Sequence, residues 1–155
     1  RPTVAITRDQ MAVFIARALV GGDSLVPPGP PVGHFIDVPT WYWAFKHIEY
    51  AYAEGVVTGY PGGRYEPTLA LDRAQMAVFI ARALAGGDAQ VPAGPPTATF
   101  PDVPTGFWAY RYVEYIAHPE RKVTQGYQDG LYHPEYICTR DQMAAYIARA
   151  FGLPL

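Results

Sequence analysis

At 155 residues the chain has the length of one domain. A chain of that size buries about 70% of the surface it exposes when unfolded, so its core stands without metal or disulfide staples. Charged residues are only 17%, and the net charge of −2 leaves no basic field to draw nucleic acid or an anionic lipid surface. No apolar run approaches the ~20 residues that span a bilayer, because Arg17, Arg82 and Arg149 interrupt the longest ones.

The first predicted element is a helix over 6–19, Ile-Thr-Arg-Asp-Gln-Met-Ala-Val-Phe-Ile-Ala-Arg-Ala-Leu, and it recurs at 71–84 and 138–151. Arg8, Arg73 and Arg140 mark the register, 65 and then 67 residues apart. A period of this length is one supersecondary unit whose copies cover each other's apolar faces. Repetition also favours a binding surface, which gains avidity from copies, over an active site. Thr7 with Gln10 and Thr139 with Gln142 form Thr-x-x-Gln capping boxes, and Asp72 with Gln75 is the variant. Met11, Phe14, Ile15, Ala18 and Leu19 then make one apolar stripe, copied by Met76 to Leu84 and by Met143 to Phe151. The Met column sits within that stripe and reads as core packing, not as a soft-metal site. Gly21–Gly22 and Gly86–Gly87 end the first two copies.

Pro-rich linkers follow at 23–33 and 88–98, with an extended polyproline-like expectation. Next comes Phe35-Ile-Asp-Val-Pro-Thr40, copied as Phe100-Pro-Asp-Val-Pro-Thr105. Thr40 and Thr105 are the expected N-caps of a second helix type. It carries Ala44, Ile48 and Ala51, or Ala109, Val113 and Ile116, on one face, with Trp43 and Trp108 in its first turn. Gly55 ends the first copy; His118-Pro-Glu-Arg-Lys122 holds a two-residue insertion, and Pro119 ends the second. The unit closes with Gly59-Tyr-Pro-Gly-Gly-Arg-Tyr-Glu-Pro67, against Gly126-Tyr-Gln-Asp-Gly-Leu-Tyr-His-Pro134. Both read as tight turns or minimal hairpins. Arg1-Pro2-Thr3 aligns with the tail of such a turn, and with no initiator Met the chain is expected to be a processed or truncated product.

Cys138 occupies the slot of Ile6 and Leu71, so it reads as a small buried hydrophobe. The three Arg residues follow the N-caps, at the positive end of a helix dipole, where a cation costs a few tenths to ~1 kcal/mol. Two compensations stay open: a structural ion pair with Asp37 or Asp102 of a neighbouring unit, or an anionic ligand met by the Arg fork and the free helix N–H groups. On the ligand reading Arg73→Ala weakens binding with little change in melting temperature. Trp43 and Trp108 are either stacking platforms for sugar rings or core plugs, the latter being more usual for a helix-start Trp beside Ala. Tyr60, Tyr65, Tyr127 and Tyr132 flank turns and are expected to be partly exposed. Glu49 and Glu114 read as one solvated or paired carboxylate per helix, since a glycosidase needs two at a fixed separation across a cleft. His34, His47, His118 and His133 share no repeated position and read as surface or interface residues. No nucleophile triad, zinc spacing or phosphate loop occurs, so neither cofactor nor catalysis is expected.

The ordered motifs resemble the S-layer homology (SLH) family. They are Phe35-x-Asp-Val with Trp43-Ala44 and Ile48; Gly55-Val-Val-x-Gly-Tyr60; Gly63-x-Tyr65-x-Pro67; and Leu71-x-Arg73-Ala-Gln-x-Ala. Their copies are Phe100-x-Asp-Val, Trp108-Ala109, Gly126-Tyr-x-Asp-Gly130, Tyr132, Pro134 and Thr139-Arg140-Asp-Gln. The match covers almost everything except the linkers. It implies a mainly α fold, a pseudo-threefold helical bundle of helix-turn-helix units joined by Pro-rich linkers. Residues 1–155 then form a single domain: 1–22 as the C-terminal half of repeat 1, 34–87 as repeat 2 and 99–155 as repeat 3, with linkers 23–33 and 88–98. The resemblance also implies a noncatalytic module at the bacterial cell surface. Its groove residues bind secondary cell-wall polysaccharide, commonly with pyruvylated sugars. By position these are Arg8, Arg73, Arg140, Trp43, Trp108, Gly59, Tyr60, Gly63, Gly126, Tyr127 and Gly130. Four features depart from the family pattern. Gln10, Gln75 and Gln142 replace an acidic residue, Gly62 replaces the turn Asp kept at Asp129, the linkers are long, and repeat 1 lacks its first half. The alternative reading is a self-assembling subunit of an extracellular layer or filament, completed by neighbouring copies. Low charge and many aromatics suit such protein–protein burial.

Overall fold

The computed structural model describes residues 3–154; Arg1 and Pro2, aligned above with a turn, lie outside them. Five α-helices follow one another: α1 (Arg8–Val20), α2 (Phe45–Ala53), α3 (Arg73–Ala85), α4 (Tyr110–Ala117) and α5 (Arg140–Phe151). The described residues contain no named strand, and none of their helices is long and apolar enough to cross a membrane. The mainly α expectation therefore holds. Helix α1 packs on α2 and α3 on α4, while α1, α3 and α5 pack against one another.

The long helices begin where the capping boxes place them: all three boxes are formed, and Gly21, Gly86 and Gly152 cap the C-termini in left-handed conformation. The residues before the boxes build the centre. The Ile6 N–H donates to the Cys138 carbonyl at 2.9 Å, the Cys138 N–H to Leu71 at 2.8 Å, and the Leu71 N–H to Ile6 at 3.0 Å. This closed cycle of three backbone bonds is a pseudo-threefold axis. Ile6, Leu71 and Cys138 are fully buried on it, as are Met11, Met76 and Met143 one turn into each helix. Cys138 is thus the small core residue its slot suggested, and burial pushes its thiol up to about 12. The buried face of α1 is wider than the expected stripe, because Ala12, Val13 and Ala16 are also covered.

The second helix type departs from expectation at its start. Thr40 and Thr105 are exposed and cap nothing; the caps are Ala44 and Ala109, and the helices start at Phe45 and Tyr110. Successive three-residue turns fill the gap. Tyr42 N–H donates to Pro39 O and Phe45 N–H to Tyr42 O, with Phe107, Pro104 and Tyr110 repeating the pattern. Trp43 and Trp108 therefore ride on these turns, ahead of the helices. Ala44, Ile48, Ala51, Ala109, Val113 and Ile116 are all fully buried, as the pattern required, and α4 stops before Pro119. The linkers open with short 3₁₀ turns, Asp23–Leu25 and Asp88–Gln90, which composition alone had not signalled. They then run mostly exposed, pinned by buried Val26 and Val91.

Candidate ligand-binding seam

Each closing turn is a minimal hairpin held from below. Tyr60 N–H donates to Arg64 O at 2.7 Å, and Tyr127 N–H to Leu131 O at 2.8 Å. Gly59, at φ +77°, sits so close to the ring of Phe35 that an added Cβ would lie 2.5 Å from it. Gly126 stands 2.7 Å from Phe100 on the same construction. The Asp of each Phe-x-Asp-Val motif clamps the far strand of the turn. Asp37 accepts from the N–H groups of Tyr65 and Glu66, both at 2.8 Å, and Asp102 from Tyr132 at 2.9 Å and His133 at 2.7 Å. Glu66 and His133 hold positive φ of 57°, a conformation these two bonds stabilise.

The expected pairing of the helix-start arginines with Asp37 or Asp102 is therefore overturned: those carboxylates belong to the backbone of the turns. Arg8 and Arg73 are compensated differently. Arg8 Nε–H donates to the carbonyl of Tyr65 at 2.7 Å, while the Tyr65 hydroxyl returns a bond to the Arg8 carbonyl at 2.8 Å. Arg73 and Tyr132 repeat the exchange at 2.9 and 3.2 Å. The guanidinium of Arg8 lies 4.8 Å from the ring centroid of Tyr60 and 4.5 Å from that of Tyr65; Arg73 lies 5.0 Å from Tyr127 and 4.2 Å from Tyr132. Carbonyl bonds and ring faces thus supply what a carboxylate would have. Tyr65 and Tyr132 are fully buried, against the expectation of partial exposure, and burial raises their phenols so that they stay protonated donors. Tyr60 and Tyr127 remain more than one third exposed, as expected.

Arg8, Gly59, Tyr60 and Trp108 come together around one cavity of about 210 Å³, joined by Thr58, Gln75, Val78, Phe79 and Arg82. The indole of Trp108 is 61% exposed and that of Trp43 58%, so the core-plug alternative fails for both. Trp43 stands against Tyr42 beside α2, apart from this cavity. Gly63 is not among the residues lining it, and its carbonyl accepts from Ile36 N–H. Arg73, Gly126 and Tyr127 form the second seam, with Gly130 at its hairpin tip. Arg140 is exposed at the start of α5, and its side chain has no hydrogen bond among the described residues. Sequence reasoning missed Phe79, Gln75 and Arg82, although all three lie on the repeated helix. Their signal was position: they lie at i, i+4 and i+7 of one another, a single face of α3.

The remaining polar candidates are structural. Glu49 is buried and holds His34 through its backbone N–H and its ring; Glu114 accepts from the N–H and hydroxyl of Thr99. Both carboxylates are paired and spent on docking the ends of the linkers. His47 is buried and bonded to Asp23 at 2.7 Å, which corrects its surface assignment. Ligand atoms of Asp102, His133 and Glu135 lie within 4.8 Å of one another, but Asp102 already holds the turn and His133 Nε2 pairs with Asp129 at 2.6 Å. Arg73, 2% exposed with four side-chain hydrogen bonds, is a stability residue, so the expectation that Arg73→Ala spares the melting temperature does not stand.

Comparison with known proteins agrees with this architecture. Cell surface glycoprotein 1 of Acetivibrio thermocellus is 27% identical over 155 residues, 97% of this chain and 6% of that protein. S-layer protein EA1 of Bacillus anthracis is 30% identical over 147 residues, 92% of this chain and 16% of that protein. The cellulosome-anchoring protein of Acetivibrio thermocellus is 32% identical over 89 residues, 57% of this chain and 19% of that protein. The chain thus spans less than a fifth of the length of each of these relatives. The S-layer homology domain model matches residues 34–77 and 99–144, which are the two turn-bearing units and the starts of the helices that follow them. With more than half of its residues under that match, the chain belongs to the S-layer homology domain family.

Proposed function

We propose that residues 1–155 form one noncatalytic cell-surface anchoring module, and that the Arg8 seam binds an acidic secondary cell-wall polysaccharide such as a pyruvylated glycan. The cell-surface and anchoring names of the relatives support the location and the coarse role. One observation carries the ligand class: Arg8, 5% exposed and with no partner for its terminal nitrogens among the described residues, lines a cavity that also holds an exposed indole. A carboxylate on the guanidinium fork and a sugar ring on Trp108 suit that pair. Calorimetry with purified wall polysaccharide, competed by a pyruvylated sugar, tests it. Arg8→Ala is expected to cost about tenfold or more in affinity, since a hydrogen bond to a charged group is worth ~1.5–3 kcal/mol. No detectable binding of the glycan by the unaltered protein would overturn the reading.

A second reading, assembly into a layer or filament, is favoured by two features of α5. Arg140 is exposed, and an apolar groove of about 290 Å³ between α1 and α5 is lined by Phe14, Ile147 and Leu153. Sedimentation at rising concentration tests it: a species that stays monomeric argues against assembly.

A further inference from the structure

The Arg8 and Arg73 seams share a cradle of arginine, glycine turn and two tyrosines; an indole, Trp108, lines the first, and the two differ further in what meets the arginine. On Arg8, the facing residue is Phe79, 5.3 Å from ring centroid to guanidinium. On Arg73 it is Tyr146, at the same helical position and 5.9 Å away. Tyr146 adds one hydroxyl, and that hydroxyl accepts from Arg73 Nη1. A second difference points the same way. Thr124 stands where the first seam has Val57, and its Oγ1 accepts from Arg73 Nη2 at 3.3 Å, beside the Gln125 carbonyl at 3.2 Å. Both changes replace an apolar side chain with a hydroxyl, and both hydroxyls are aimed at one guanidinium. Arg8 has only its Nε bond; its terminal nitrogens have no partner among the described residues and are not sealed off.

We infer that Tyr146, assisted by Thr124, is a built-in stopper for the Arg73 seam. The phenol oxygen occupies the place on Arg73 that a ligand carboxylate oxygen takes on Arg8. The chain therefore presents one working anion seam, at Arg8, and the Phe79/Tyr146 position closes the guanidinium of the other. A second arginine does not separate the seams: Arg82 lines the first, paired with Asp88 at 2.8 Å, and Arg149 holds the same helical position beside the second, donating to the Val123 carbonyl as Arg82 does to that of Val56. This inference rests on the proposed glycan reading for its ligand, but the closure of Arg73 itself does not need one.

Two measurements test it. The first needs no ligand: proton exchange of the Arg side chains by ¹⁵N NMR on the unaltered chain. Arg73 Nη protons are expected to exchange at least about tenfold more slowly than those of Arg8, because unfolding or ring displacement must precede exchange. The second is calorimetric stoichiometry with a methyl hexoside carrying a 4,6-linked pyruvate ketal. One equivalent is expected for the unaltered chain, two for Tyr146→Phe with Thr124→Val, and none for Phe79→Tyr with Val57→Thr. Two equivalents on the unaltered chain, or equal exchange at the two arginines, would overturn the stopper and leave the anchoring reading standing. If the probe binds nowhere, the glycan reading falls, and the exchange experiment alone decides the stopper.

Discussion

Replacing Asp37 with alanine removes the clamp that shapes the first seam, and its cost follows from the geometry. The carboxylate accepts two backbone N–H bonds at 2.8 Å, and its side chain is only 11% exposed. Bonds to a charged acceptor contribute about 1.5–3 kcal/mol each, and the substitution leaves both amides without a partner. Glu66 then relaxes from its positive φ, which returns about 1 kcal/mol. The net loss is about 2–5 kcal/mol. For a chain of this length each kcal/mol lowers Tm by ~2–4 °C, so differential scanning calorimetry is expected to show a fall of about 10 °C. Asp37→Asn keeps one acceptor oxygen and is expected to lose about half as much. The Tyr65 carbonyl that holds Arg8 belongs to the clamped residue, so the Arg8 Nε proton should also lose exchange protection in Asp37→Ala. A fall below ~3 °C with Arg8 still protected would refute the claim that the Phe-x-Asp-Val motif exists to hold the turn.

Further outcomes separate the same ideas elsewhere. Gly59→Ala meets both a positive φ and the Phe35 ring and is expected to cost about 2–4 kcal/mol by thermal melting, whereas Gly62→Ala, with φ +87° and open space, costs about 1 kcal/mol; equal losses would contradict the packing argument. Arg73→Ala should lower stability by about 3 kcal/mol and more than Arg8→Ala does, read from urea midpoints, because it strips hydrogen bonds from Tyr146, Thr124 and Gln125. Asp88 is held down at about 2: burial opposes its charge, but the Tyr112 hydroxyl, Arg82 and Arg111 all donate to it. Its stabilising contribution is complete above its ordinary value of 3.8 and is lost as pH falls through about 2, so Asp88→Asn should flatten the acid side of the stability profile in that window. Cys138, raised to about 12 by burial, should resist thiol reagents at pH 8 until the chain is unfolded by denaturant.

The helix starts were legible because a capping box is local: Thr7 and Gln10, or Asp72 and Gln75, sit three residues apart and satisfy each other's backbone whatever surrounds them. The hairpin turns were legible for the same reason. Helix α2 was misplaced at its start because Thr40 is a good cap by chemistry, yet the turn set by Pro39 keeps the chain in three-residue steps as far as Phe45. The arginines were singled out by their recurrence, but the partners of Arg8 and Arg73 were not found. An acidic residue was sought, whereas a carbonyl and an aromatic face satisfy a guanidinium equally well, and any residue can offer a carbonyl.

By itself, the sequence determined the repeat, its period, the class of fold and the family. Those properties depend on neighbours a few positions apart or on copies that read alike. Only the tertiary structure decided that Ile6, Leu71 and Cys138 close a ring, that Asp37 serves a turn instead of Arg8, and that two hydroxyls meet Arg73. Those contacts join residues from about 28 to more than 130 positions apart, and the one at Arg73 turns on a difference as small as one hydroxyl. Such a group acquires its meaning from the side chain packed opposite it, and the one-dimensional order of residues does not state which side chain that is.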